Sequence, residues 1–117
     1  SWLRAGTAEA SLENLYDVLA PGGTLGIVQH RGDEGITLDQ MTRTAYVPES
    51  KVIALATAAG FVLDGRSEIN ANARDTKDYS GGVWTLPPNF REGDVDREKY
   101  AAIGESDRMT LRFKKPL

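Results

Sequence analysis

A chain of 117 residues, 40% of them hydrophobic and 26% charged, has the size and composition of one globular domain. A formal net charge of −3 gives no broad basic field for nucleic acid, the lack of cysteine excludes disulfides and thiolate metal sites, and a single histidine excludes multi-histidine zinc arrangements. No run reaches the roughly 18 consecutive apolar residues of a membrane span, and Ser1-Trp2-Leu3-Arg4 lacks the regions of a signal peptide. The expectation is therefore no nucleic acid, no membrane and no metal, with the cytoplasm as the default compartment.

The first periodic segment, Thr7 to Ala20, places Ala8, Leu12, Leu15, Tyr16 and Leu19 on one face, which predicts an amphipathic helix. Thr7 suits its start, and Pro21-Gly22-Gly23 ends it. Thr24 to His30 then reads as a buried strand, whose Leu25, Ile27 and Val28 suit a parallel sheet covered on both faces. A second helix is expected from Pro48 to Ala59, with proline at its first position, a buried stripe of Val52, Leu55, Ala56 and Ala59, and Gly60 as its stop. Phe61-Val62-Leu63 opens another strand reaching Ile69, and the order strand, helix, strand predicts two parallel neighbours.

From Asn70 to Asp107 turn formers and charges dominate, so this reads as a long inter-strand loop. It is either a lid over a binding site or a packed Ω-loop with Tyr79 and Trp84 as a satellite core, and Arg97 to Ile103 is a candidate short helix within it. Asp75, Asp78, Asp94 and Asp96 do not match a calcium loop and read as solvated turn residues. The last element, Met109 to Lys114, alternates strictly and predicts a strand with Met109, Leu111 and Phe113 on one face.

Leu19-Ala20-Pro21-Gly22-Gly23-Thr24-Leu25 resembles the approach to the fifth strand of class I S-adenosylmethionine-dependent methyltransferases, and Ala58-Ala59-Gly60-Phe61 resembles the turn before their sixth. Met109 to Lys114 falls where their seventh, antiparallel strand belongs. Asp75-Thr76-Lys77-Asp78-Tyr79, Gly82-Val83-Trp84-Thr85-Leu86-Pro87-Pro88 and the tail from Lys99 to Leu111 are similar to a group of bacterial predicted methyltransferases of unassigned substrate. The resemblance covers nearly the whole chain and implies the C-terminal half of a Rossmann-like α/β fold, residues 1–117 forming half of one domain with 70–107 as its long loop. The family's glycine-rich turn and ribose-binding acid have no counterpart here, because Gly22-Gly23 precedes a strand instead of following one. S-adenosylmethionine is thus expected only in the intact protein, and the isolated chain is expected to be inactive.

Ligands in open α/β sheets bind beyond the carboxyl ends of the parallel strands, which makes His30 the catalytic candidate, as a general base for a small-molecule acceptor. The alternative is a strand-end histidine hydrogen-bonded to a nearby loop. Arg31 lies beside it, and Trp2 and Arg4 follow the place of the missing fourth strand. Arg43 and Tyr46 are candidates to hold an anionic or polar acceptor, and Trp84 to cover it. The edge of Thr24 to His30 left open by a missing fourth strand predicts a homodimer. A second reading is a free-standing α/β binding or interaction module using the Trp84 loop.

Overall fold

The computed structural model describes residues 7–117. Trp2 and Arg4 lie outside them. The chain forms α1 (Thr7–Val18), β1 (Thr24–Gly32), α2 (Leu38–Thr44), β2 (Val47–Pro48), α3 (Glu49–Ala59), β3 (Val62–Ser67), a 3-10 turn at Gly82–Thr85, α4 (Arg97–Ile103) and β4 (Arg108–Lys114). Mixed α/β architecture is as the sequence reading expected.

The four strands lie in the order β2-β1-β4-β3. β4 runs antiparallel to both β1 and β3, so those two are parallel to each other but not neighbours. This corrects the expectation that the helix between them joins adjacent strands. The reason is in β4, whose Met109, Leu111 and Phe113 are at most 1% exposed: its alternating apolar face is the most complete in the chain and takes the central place. Arg31↔Val47 and Gly32↔Pro48 are the only β1–β2 pairs, so parallel pairing is limited to the end of β1.

α1 and α3 pack against each other and on one face of the sheet. Ala8 and Leu12 of α1, Val52, Leu55 and Ala56 of α3, Phe61 and the inward residues of β4 form the core, with Leu25, Ile27 and Leu63 packed against it. Tyr16 and Phe113 each meet Phe61 edge-on, at centroid distances of 5.1 and 6.4 Å. Among the described residues the helices therefore cover one side of the sheet. β1 alternates in burial, and Val28 is 52% exposed, contrary to a strand buried on both faces.

α2 follows from a capping box that the sequence carries: Thr37 Oγ1 accepts from Gln40 N, and Gln40 Oε1 accepts from Thr37 N. Pro48 is the N-cap of α3, so the helix begins at Glu49, one residue later than expected, and Gly60 ends it in a left-handed conformation at φ 113°. The long loop carries its own satellite cluster, with Tyr79, Val83 and Leu86 buried and Tyr79 edge-on to Tyr100 of α4. Gly82 ties this loop to α2: at φ 61° a Cβ there would stand 2.4 Å from Thr44 Cα, so only glycine permits the approach.

Candidate functional site

Polar side chains gather where β1 ends and the long loop crosses it. His30 closes the antiparallel register opposite Arg108, which points its neighbours Ser106 and Asp107 at the β1 terminus. The imidazole Nδ1 lies 2.5 Å from Ser106 Oγ. That is a contact between a strand-end histidine and a nearby loop, as the structural alternative described. Partial burial holds the His30 pKa below its ordinary value, the Arg108 charge pushes it the same way, and Asp75 opposes both. A neutral ring with Nδ1 engaged leaves Nε2 as its second hydrogen-bonding position.

Arg31 is bound to the chain's own carboxylates. Its Nε and Nη2 donate to the two oxygens of Asp107 at 2.9 and 3.0 Å, Nη2 also reaches Glu68 at 2.9 Å, and Nη1 reaches Glu49 at 3.4 Å. This is a bidentate pair with a nearly buried acid, and it explains why the guanidinium pKa rises. For Asp107, burial favours the neutral acid, but Arg31, the Asn72 amide and Lys77 outweigh it and hold the carboxyl well below the usual range. Lys77 Nζ stands 3.0 Å from the same carboxylate.

Asp75 corrects an expectation. It is not a solvated turn residue: it is 6% exposed, and it accepts from Tyr46 Oη at 2.7 Å, Asp107 N at 2.9 Å and Lys77 N at 3.0 Å. Those donors replace water around a buried carboxylate. Burial, followed by the Asp75 hydrogen bond, raises the Tyr46 phenol far above its ordinary pKa.

Arg43 and Tyr46 do meet. Both line a cavity of about 300 Å³ between α2 and the loop at Lys77–Ser80, together with Gln40, Lys77 and Tyr79. Its charges are mixed, since Asp33 and Asp78 also line it. Arg43 is paired with Asp39 one turn earlier at 2.9 Å and is 59% exposed, so its guanidinium can turn toward the cavity at little cost. Neither His30 nor Arg31 lines this space. Trp84 does not line it either: it sits on the 3-10 turn, half buried, with the Arg91 guanidinium 5.3 Å from its ring centroid.

The sequence reading named His30, Arg31, Arg43 and Tyr46, which the structure places in two separate polar regions, and did not single out as partners the loop residues that contact them, Asp75, Lys77, Ser106 and Asp107. Long-range pairing across 76 positions, as between His30 and Ser106, has no local signature. Among the described residues no cluster of three or more histidine or acidic side chains could hold a metal ion, and no helix is long and apolar enough to cross a membrane. No protein-family model matches the chain, and no curated protein matches it.

Proposed function

We propose that this chain is the C-terminal half of a class I S-adenosylmethionine-dependent methyltransferase and supplies the acceptor side of its active site. The observation that carries the reading is the sheet. Two mutually parallel strands, β1 and β3, are followed by a final antiparallel strand, β4, which is the chain order the resemblance implies. The polar cluster supports it by its place at the carboxyl end of β1, where ligands of open α/β sheets bind.

The cofactor does not fit these residues by themselves. The turn from β1 into α2 carries Gly32 and Gly35, but a Cβ at Gly32 would stand 3.0 Å from Ile36 and Tyr46, and the closest glycine approach, Gly82 on Thr44, is filled by backbone. The methyl donor is accordingly assigned to the intact protein alone.

Within this half His30 is the candidate base. Ser106 fixes its ring through Nδ1, and its depressed pKa keeps it neutral near pH 7, so Nε2 can take a proton from an acceptor oxygen or nitrogen. The cavity lined by Arg43, Tyr46 and Lys77 does not include His30, so it is proposed to hold a polar substituent of the acceptor rather than its reacting atom. Arg31, held by Asp107, Glu68 and Glu49, is assigned to positioning rather than to the acceptor, Trp84 lies away from this cavity, and Trp2 and Arg4 lie outside the described residues. The open edge of β1 from Thr24 to His30 supports a homodimer of the isolated chain.

The test is release of S-adenosylhomocysteine by the intact protein over a panel of small acceptors. His30→Ala is expected to slow the active reaction by more than about tenfold with an unchanged melting temperature. Unchanged turnover removes His30 from the chemistry.

A further inference from the structure

A second polar hollow, of about 190 Å³, opens beside His30 between the start of β4 and the loop after β3, and it is lined by Asn70, Asn72, Arg74, Glu105, Ser106 and Arg108 among others.

Its two guanidiniums are poorly satisfied among the described residues. Arg108 Nε is buried with no hydrogen-bond partner, and Nη2 meets Glu105 only at 3.5 Å. Arg74 forms no ion pair and no side-chain hydrogen bond among the described residues. By contrast, Arg31, Arg66 and Arg112 each hold a carboxylate within 3.1 Å, while Arg91 and Arg97 stack on Trp84 and Phe90 instead. Leaving the buried Arg108 Nε unpaired is costly, and that donor together with the exposed, unpaired Arg74 guanidinium on the same hollow calls for an anion.

The other walls are committed. Asn72 Nδ2 donates to the carbonyls of Ile103 and Glu105 at 2.6 and 2.7 Å, and Asn70 Nδ2 donates to Thr110 Oγ1 at 2.8 Å. Glu105, the acid on the rim, is 62% exposed. Ser106 is different, because it lines the hollow and touches His30 Nδ1 at once. When Nδ1 carries the proton it donates to Oγ, and the hydroxyl hydrogen is then free to point into the hollow.

We propose that this hollow binds a small oxyanion, a phosphate or carboxylate group, held by Arg74 and Arg108 with Ser106 Oγ linking it to His30. The inference stands apart from the methyl-transfer reading, since it needs neither donor nor acceptor. The charged groups facing His30 are Arg108 from β4 and Asp75 from the loop, and an anion beside Arg108 cancels the repulsion that now disfavours the imidazolium.

His30 is the chain's one histidine, so its ring resonances report without ambiguity. Titrating inorganic phosphate into the chain at constant ionic strength should raise the His30 titration midpoint saturably, by about one pH unit. Arg74→Gln, at an exposed position, should weaken the apparent phosphate affinity about tenfold, as should Arg108→Gln, while Lys114→Gln at the far end of β4 should not. A parallel acetate titration separates the sources: saturation with phosphate alone assigns a phosphoryl group, and saturation with acetate alone assigns a carboxylate. The proposal is overturned if neither anion moves the midpoint beyond equal ionic strength of chloride, or if Arg74→Gln responds as the wild type does. Should Arg108→Gln unfold, Arg74→Gln decides alone.

Discussion

Tyr46 Oη lies 2.7 and 2.9 Å from the two carboxylate oxygens of Asp75, and both residues are buried where α2 meets the long loop. This pair anchors the loop to the sheet, because the same carboxylate also receives the backbone N–H of Asp107 next to β4. Tyr46→Phe keeps the ring and removes the donor, leaving a buried acid short of one partner. The expected loss is about 2 kcal/mol, seen as a fall in the denaturation midpoint without loss of far-ultraviolet signal. A variant as stable as the wild type shows that the loop is anchored elsewhere.

Acid should weaken the fold in two steps. His30 has a depressed folded pKa, so the neutral ring is favoured in the folded state; its contribution is complete above the unfolded value near 6.5 and is lost as pH falls through the lower folded value. Asp107 is also depressed, and its contribution is complete above about pH 4 and is lost only below that, as its carboxylate is finally protonated away from Arg31 and Lys77. Denaturation midpoints measured from pH 8 to pH 3 should therefore show a shallow decline beginning near pH 6.5 and a steeper one below about pH 4. His30→Gln should abolish the first decline alone. A flat profile down to pH 4 in the wild type contradicts the His30 assignment.

The elements with a strong local pattern were legible before any coordinates. The alternation in Met109, Leu111 and Phe113, the α3 stripe closed by Gly60 and the short helix at Arg97–Ile103 all stand where the residues placed them. Sheet order was not legible, because the argument from strand, helix, strand to adjacent parallel strands takes no account of a later strand that inserts between them. The Thr37/Gln40 capping box was present in the sequence and overlooked, and α2 went with it. At the site, His30 was found from its place at a strand end, whereas Asp75 was misread because a carboxylate in a turn-rich segment carries no local sign that Tyr46 lies 29 positions away to bury it.

β1 pairs with β2 only at Arg31 and Gly32, and Leu15, Val18 and Val28 are exposed on the neighbouring surface. A strand edge whose backbone donors and acceptors have no partner strand among the described residues, beside apolar side chains, favours a second copy. Light scattering at low micromolar concentration should give twice the monomer mass, with slowed amide exchange from Leu25 to Val28. A monomer with those amides exchanging freely denies the pairing, and a monomer with them protected denies the truncated-sheet account as well.

The most direct measurement is a calorimetric titration of S-adenosylmethionine into the intact protein and into the 117-residue chain, side by side. The account predicts binding by the intact protein and none by the chain alone, because the proposal assigns the glycine turn and the ribose-binding acid to the intact protein. Micromolar binding by the chain alone, about −8 kcal/mol, or no binding by the intact protein, contradicts it.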